Sequence, residues 1–133
     1  MAGQEVLKLL LDTHALLWWA TLDPRLSRKA KAAIADDEND IFVSAASAWE
    51  IATKVRLGKL EWPGTAGTVN AYVFGQGFRS LPISLVHAEL AGQLPVANRD
   101  PFDRMLIAQA QTEGVWLASN EEVFDAAGVR RYW

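Results

Sequence analysis

Residues 6–12 read Val-Leu-Lys-Leu-Leu-Leu-Asp, an apolar run that ends on an acid. A short run of this kind is typical of a buried strand. A carboxylate is costly to bury unless it is paired, hydrogen-bonded or bound to a metal ion. We therefore predict a strand over 6–12 and expect Asp12 to meet a partner at the rim of a sheet.

The bulk composition favours one globular domain. With 133 residues, half of them apolar, the chain can bury a continuous core, and we predict a single domain over 1–133. Cysteine is absent from the sequence, which favours a reducing compartment and excludes zinc–thiolate sites and thiol catalysis. No apolar run approaches the length of a membrane span and no signal peptide is evident, so we expect a cytoplasmic protein without a membrane anchor.

Strand-like and helical segments alternate along the chain. Strands are predicted at 6–12, 41–43, 81–83, 115–118 and 129–132. Helices are predicted at 13–21, 27–37, 47–58, 68–76, 84–93, 101–113 and 121–127. Strands separated by helices are joined by crossovers and form a mostly parallel sheet that is covered on both faces. The predicted fold class is α/β.

Acidic residues recur where the predicted strands end and the next helices begin, which is where sites form in parallel sheets. They are Asp12, Glu50, Asp100, Asp103 and Glu121. We expect them along one edge of the sheet, where carboxylates repel each other unless they are protonated or neutralised by cations. Hard oxygen ligands suit Mg²⁺ or Mn²⁺, and two such ions ~3.5–4 Å apart promote phosphodiester hydrolysis. The pattern indicates a metal-dependent phosphodiester hydrolase.

Each acid taken singly also has a structural interpretation, because helix N-termini favour acids with or without a site. Ser47 and Glu50 have the spacing of a capping box, and Asp100 suits a helix cap. Asp12 is the exception, since its neighbour Thr13 is available to cap the next helix. Only the joint pattern favours a functional site.

The net charge of −3 gives no support for general polyanion binding, but the cations are clustered. The clusters are Arg25, Arg28, Lys29 and Lys31; Lys54, Arg56 and Lys59; and Arg99 with Arg104. Most such runs are solvated faces, although cations close to Glu50 favour phosphate contact. His14 is expected to be a partly buried packing residue that is at most accessory to the site.

Four stretches resemble the PIN-domain ribonucleases, and specifically the VapC-type toxins of bacterial toxin–antitoxin pairs. They are LLDTH at 10–14, SAASAWEIA at 44–52, RDPFDRMLIAQA at 99–110 and SNEEVF at 119–124. Their order and spacing, together with LGKL at 57–60, make the combination specific and extend it over nearly the whole chain.

The resemblance implies a PIN-like three-layer sandwich, in which a central, mostly parallel sheet is flanked by helices. It implies that the metal ligands are Asp12, Glu50 and Asp103. The fourth acid of the family falls on Glu121, where the family pattern has Asp, and Ser119 takes the accompanying hydroxyl position.

Asp100 matches the motif but is an accessory position, because its place before Pro101 suits a helix cap, and Asn98 stands where the related motif often has His. The resemblance further implies a Mg²⁺- or Mn²⁺-dependent endoribonuclease that hydrolyses RNA phosphodiester bonds. A homodimer and a cognate antitoxin protein from the same operon are implied as well.

Two other interpretations stay open. One is a degenerate PIN-like module that binds protein or nucleic acid without catalysis. The other is a phosphotransferase with Asp12 as the nucleophile. The second would require another acid two residues on, where this sequence has His14.

Overall fold

Five parallel strands form the central sheet of the computed structural model, which describes residues 6–133. In chain order they are β1 (Lys8–Leu11), β2 (Asp40–Ser44), β3 (Arg79–Leu81), β4 (Trp116–Ala118) and β5 (Arg131–Tyr132). Their spatial order is β3-β2-β1-β4-β5. Residues 1–5 lie outside the described range. They include the start of the expected 1–133 domain and of the segment on which a signal peptide would be recognised.

The helices occupy both faces of this sheet. They are α1 (Thr13–Thr21), α2 (Arg28–Ala35), α3 (Ala45–Arg56), α4 (Val69–Gly75), α5 (Leu85–Gln93) and α6 (Pro101–Glu113), with short 3₁₀ turns at Gly64–Ala66 and Glu122–Ala127. Within residues 6–133, no helix is both long and apolar enough to cross a membrane. The predicted α/β sandwich with a parallel sheet is confirmed.

The central strand β1 contributes to two separate cores because its side chains alternate between the faces. Leu9 and Leu11 pack in a core with Leu16 of α1. Leu10 packs on the opposite face with Leu106 of α6. All three β1 leucines are fully buried, which explains why the strand is nearly continuous in apolar residues rather than alternating with polar ones.

Two element boundaries differ from the sequence prediction in ways that matter for the site. Helix α3 begins at Ala45, because Ser44 is its N-cap and accepts a hydrogen bond from the Ala46 N–H. The predicted start at Ser47 is therefore wrong by two residues. Strand β3 occupies Arg79–Leu81 instead of 81–83, since it pairs with β2 from Phe42 to Ser44.

Arg104 in α6 anchors the loop that follows α5. Its guanidinium donates hydrogen bonds of 2.8–3.4 Å to five backbone carbonyl groups. The acceptors are Ala91, Gly92, Leu94, Val96 and Asn98. This arginine holds the loop next to the first turn of α6, so its charge serves the fold.

Arg104→Met should destabilise the protein by roughly 2–4 kcal/mol, because methionine keeps most of the length but none of the donors. The loss is measurable as a lower urea midpoint. The matched control is Arg99→Met, since Arg99 is exposed, and its effect should stay within about 0.5 kcal/mol. Equal midpoints for the two variants would contradict this structural role.

Candidate active site

The carboxyl ends of the three central strands meet at one edge of the sheet. Asp12 directly follows β1, and its backbone N–H donates a 3.0 Å hydrogen bond to the carbonyl of Ala118, the last residue of β4. Ser119 comes next after β4, while Ser44 ends β2 and caps α3. Parallel pairing thus brings residues from distant parts of the chain to one place.

Asp12 is buried, with 4% of its surface exposed, and it caps α1. Its Oδ1 accepts a 2.7 Å hydrogen bond from the Ala15 N–H. The expectation that Thr13 would be the cap is wrong, because the extended backbone at Asp12 places its carboxylate over the first turn. The residue predicted to belong to the site is therefore also the cap of α1.

Burial raises the pKa of the Asp12 carboxyl to about 6. Hydrogen bonds from the Ser119 hydroxyl and the Ala15 N–H act in the opposite direction, as does His14, while the negative charge of Glu121 adds to the rise. Desolvation disfavours the ionised form more than these donors favour it. A cation at this carboxylate would reverse that balance.

Both carboxylate oxygens of Glu50 are engaged. Oε1 accepts a 2.6 Å hydrogen bond from the Thr13 hydroxyl, and Oε2 lies 2.7 Å from Lys54 Nζ. Glu50 and Lys54 thus form an i,i+4 ion pair along α3. The capping-box interpretation of Ser47 and Glu50 is wrong, because both residues lie inside α3. Glu50, 7% exposed, is instead held across the site by a residue of α1.

Asp100 and Asp103 have different roles at the start of α6. Asp100 is the N-cap, as predicted, and accepts hydrogen bonds from the N–H groups of Phe102 and Asp103. The Asp103 Oδ2 accepts a 3.0 Å bond from the Asn98 side-chain amide. Because Asp100 is committed to the cap, Asp103 is the acid that remains for a ligand or substrate.

The pKa of Asp103 is also raised to about 6. Burial is the largest cause, and the negative charges of Asp100, Glu121 and Glu50 add to it, whereas the Asn98 hydrogen bond lowers it. Glu121 therefore acts on both Asp12 and Asp103. Acids from four separate segments of the chain therefore influence one another's ionisation.

Glu121 lies at the open side of this group. Its N–H donates a 3.0 Å hydrogen bond to the Ser119 hydroxyl, and its Oε1 lies 3.8 Å from Nδ1 of His14. The His14 side chain is 52% exposed and stacks on Trp18, so the expectation of a partly buried packing residue is wrong. His14 and Glu121 together form the solvent-facing rim.

The donor set has the chemistry of a hard-cation site, since carboxylate oxygens converge and raise one another's pKa. Within residues 6–133, however, no three His, Asp or Glu side chains already stand in the arrangement of a metal site. The Lys54 ammonium neutralises Glu50, and its own pKa is raised by that hydrogen bond and by the charges of Glu50, Asp100 and Asp103. The residues fit a divalent cation in type, and Glu50 would have to give up its ion pair with Lys54 to bind one.

Thr13 and Asn98 are positioning residues that the sequence did not reveal. Thr13 reaches Glu50 over 37 positions of the chain, and Asn98 holds the carboxylate of Asp103. The sequence offered one signal for each contact. Thr13 is a polar residue directly after Asp12, and Asn98 is an amide at the position where the related motif often has His.

A family model described as PIN domain matches residues 9–129 of this chain. Ribonuclease VapC16 of Mycobacterium tuberculosis is 42% identical over 74 residues, which are 51% of this chain and 50% of that protein. This chain thus aligns with about half the length of that curated relative.

Solved structures share the fold at low sequence identity. The structure of VapBC2 from Rickettsia felis, bound to a DNA fragment from their promoter, gives a TM-score of 0.69 at 14% identity, covering 96% of this chain and 100% of that one. FitAcB from Neisseria gonorrhoeae gives 0.63 at 23% identity, covering 94% and 96%.

Proposed function

This chain belongs to the PIN domain family, and on that premise we propose that it is the toxin of a toxin–antitoxin pair and cleaves RNA as a Mg²⁺- or Mn²⁺-dependent endoribonuclease. The observation that carries the proposal is the electrostatic coupling of Asp12 and Asp103, since both carboxyls are influenced by the negative charge of Glu121. Both pKa values are raised to about 6, and Glu121 contributes to each. The ribonuclease name of the M. tuberculosis relative supports the substrate class.

In this proposal Asp12, Glu50 and Asp103 hold the cation and Glu121 assists them. When bound, a divalent ion activates water and stabilises the leaving oxygen of the phosphodiester. The chain's own residues set the geometry: Ala15 and Ser119 orient Asp12, Thr13 orients Glu50, and Asn98 orients Asp103.

Lys54 has a second role in the proposal. Its side chain is 42% exposed and lies beside Glu50 on the face of α3 that meets the other acids. If Glu50 held a cation, the Lys54 ammonium group would be released from this ion pair and could contact the scissile phosphate. Such a contact positions the RNA without reading its sequence.

The remaining assignments follow from the family resemblance. We propose that residues 1–133 form one domain, that the protein is a cytoplasmic homodimer, and that a cognate antitoxin binds it. A short neighbouring open reading frame that encodes a DNA-binding protein would support the last point.

The direct experiment is cleavage of RNA by the purified protein in Mg²⁺ or Mn²⁺, with and without EDTA. Cleavage that EDTA abolishes is the expected result. Calorimetry that detects no binding of either ion near neutral pH would favour the non-catalytic module instead. Trapping a phosphorylated Asp12 would favour the phosphotransferase.

Thr13→Val tests the positioning of Glu50. We expect the cleavage rate to fall roughly 10–100-fold, because the carboxylate loses the hydroxyl that fixes its orientation while the rest of the site is kept. Single-turnover kinetics separate this loss from weaker RNA binding. Thr13→Ser retains the hydroxyl and should restore most of the rate, whereas equal rates for wild type and Thr13→Val would contradict the role.

A further inference from the structure

A row of aromatic and cationic side chains leads away from the acids across α1, α2 and the C-terminus. His14 stacks on Trp18 with ring centroids 5.5 Å apart, and the Arg25 guanidinium lies 4.9 Å from the centroid of the same indole. Trp133 meets Trp18 edge-on at 5.9 Å. Together these side chains form a strip that comprises His14, Trp18, Arg25, Lys29, Tyr132 and Trp133.

The strip is continuous with the candidate active site at one end and with a cation cluster at the other. At the near end, His14 Nδ1 lies 3.8 Å from Glu121 Oε1. At the far end, Lys29 Nζ lies 4.5 Å from the centroid of the Tyr132 ring. A polymer in contact with the acids would therefore meet the exposed His14 ring first and the cations of α2 beyond it.

The charges at the far end are not neutralised by neighbouring acids. Arg28, Lys29 and Lys31 are exposed on α2, and in the part of the chain that the structure describes none of them has an acidic side chain within 4 Å. Arg25, by contrast, is paired with Asp23 at 2.7 Å. The α2 end of the strip therefore carries positive charge that no neighbouring acid compensates, despite the negative total of the chain.

We propose that single-stranded RNA reaches the acid site along this strip. Bases stack on His14 and Trp133, and the backbone phosphates contact Lys29 and its neighbours on α2. This inference rests on the proposed ribonuclease function and specifies the surface that binds the substrate. Aromatic faces interleaved with cations are the combination that binds single strands without base-specific contacts.

A protein partner fits these observations less well. The central ring of the strip, Trp18, is only 8% exposed and is shielded by polar and charged groups. The uncompensated cations of α2 match a polyanion better than the mixed rim of a protein interface.

The test measures RNA binding without cleavage. The full-length protein carrying Asp12→Asn is titrated, in EDTA, into a 5′-fluorescein-labelled 12-nucleotide oligouridylate, and anisotropy is followed at several KCl concentrations. The same titration is carried out with the wild-type protein in EDTA, as a second parent that does not cleave the RNA. Because neither condition depends on catalysis, an inactive wild-type enzyme would refute the proposed function without deciding this inference.

Lys29→Glu and Lys8→Glu form a matched pair with the same change in net charge. Lys29 belongs to the strip. Lys8 is exposed at the start of β1, at the amino ends of the strands, whereas the acids lie at the carboxyl ends. We expect Lys29→Glu to weaken binding at least about tenfold at low salt and to reduce the salt slope by about 0.7–1. Lys8→Glu should remain within about twofold of the parent.

Trp133→Ala tests the stacking component at the last residue of the chain. Binding should weaken by roughly fivefold to 100-fold with little change in the salt slope, because a ring is lost and no charge is. Equal affinities for Lys29→Glu and Lys8→Glu, or the absence of measurable binding by the parent, would overturn the proposal. So would a Lys29→Glu variant that binds RNA normally but no longer binds the antitoxin.

Discussion

Asp12→Asn is expected to lower the rate of RNA cleavage by at least about 10²–10³-fold. The amide keeps the shape of the side chain but lacks the negative charge that binds the cation. Asp103→Asn removes the corresponding charge at the start of α6 and should cause a loss of similar size. Single-turnover cleavage of a labelled RNA in Mg²⁺ measures both.

The fold should survive the Asp12→Asn substitution. Asparagine caps helices as well as aspartate does, so the hydrogen bond from the Ala15 N–H is kept. Asp36→Asn is the matched control, because Asp36 is exposed outside the site and also accepts a backbone N–H, that of Glu38. Its cleavage rate should equal that of wild type. An Asp12→Asn enzyme that cuts RNA at the wild-type rate would refute the proposed site.

Features set by neighbouring residues were predictable from the sequence. Helix α6 has the predicted bounds. Pro101 suits its first position because proline has no N–H to leave unpaired, and Gly114 ends it by adopting the left-handed conformation. The apolar run at 6–12 predicted the buried strand, which is Lys8–Leu11 in the structure.

Features that depend on distant pairing were not predictable in the same way. Ser44 and Ser47 are both plausible caps, and the register of β2 against β1 decides between them, since it extends to Val43. The Thr13 to Glu50 hydrogen bond joins α1 to α3 and has no local signature. The sequence indicated which acids are candidates for the site, whereas the orientation of their side chains depends on these tertiary contacts.

The stability of the metal-free protein should depend on pH through Asp12. Its pKa is about 6 in the folded protein and near 3.8 in the unfolded chain, so the folded state retains a proton that the unfolded state releases. This stabilisation is fully present below pH 3.8 and is lost as the pH rises through 6. The difference is on the order of 2–3 kcal/mol.

Comparison with Asp12→Asn isolates this contribution from the other carboxylates. The quantity to compare is the free energy of unfolding of wild type minus that of the variant, measured in EDTA by urea denaturation at each pH. We expect this difference to decrease as the pH is raised from 4 to 7. Divalent ions bind the ionised carboxylate, so Mn²⁺ at about 100 times its Kd should restore about 2.7 kcal/mol at pH 7 and much less at pH 4. A difference that is constant with pH would mean that Asp12 is already ionised at low pH. The carboxylate would then need no cation to compensate its burial, and the physical argument for a metal at the end of β1 would fail.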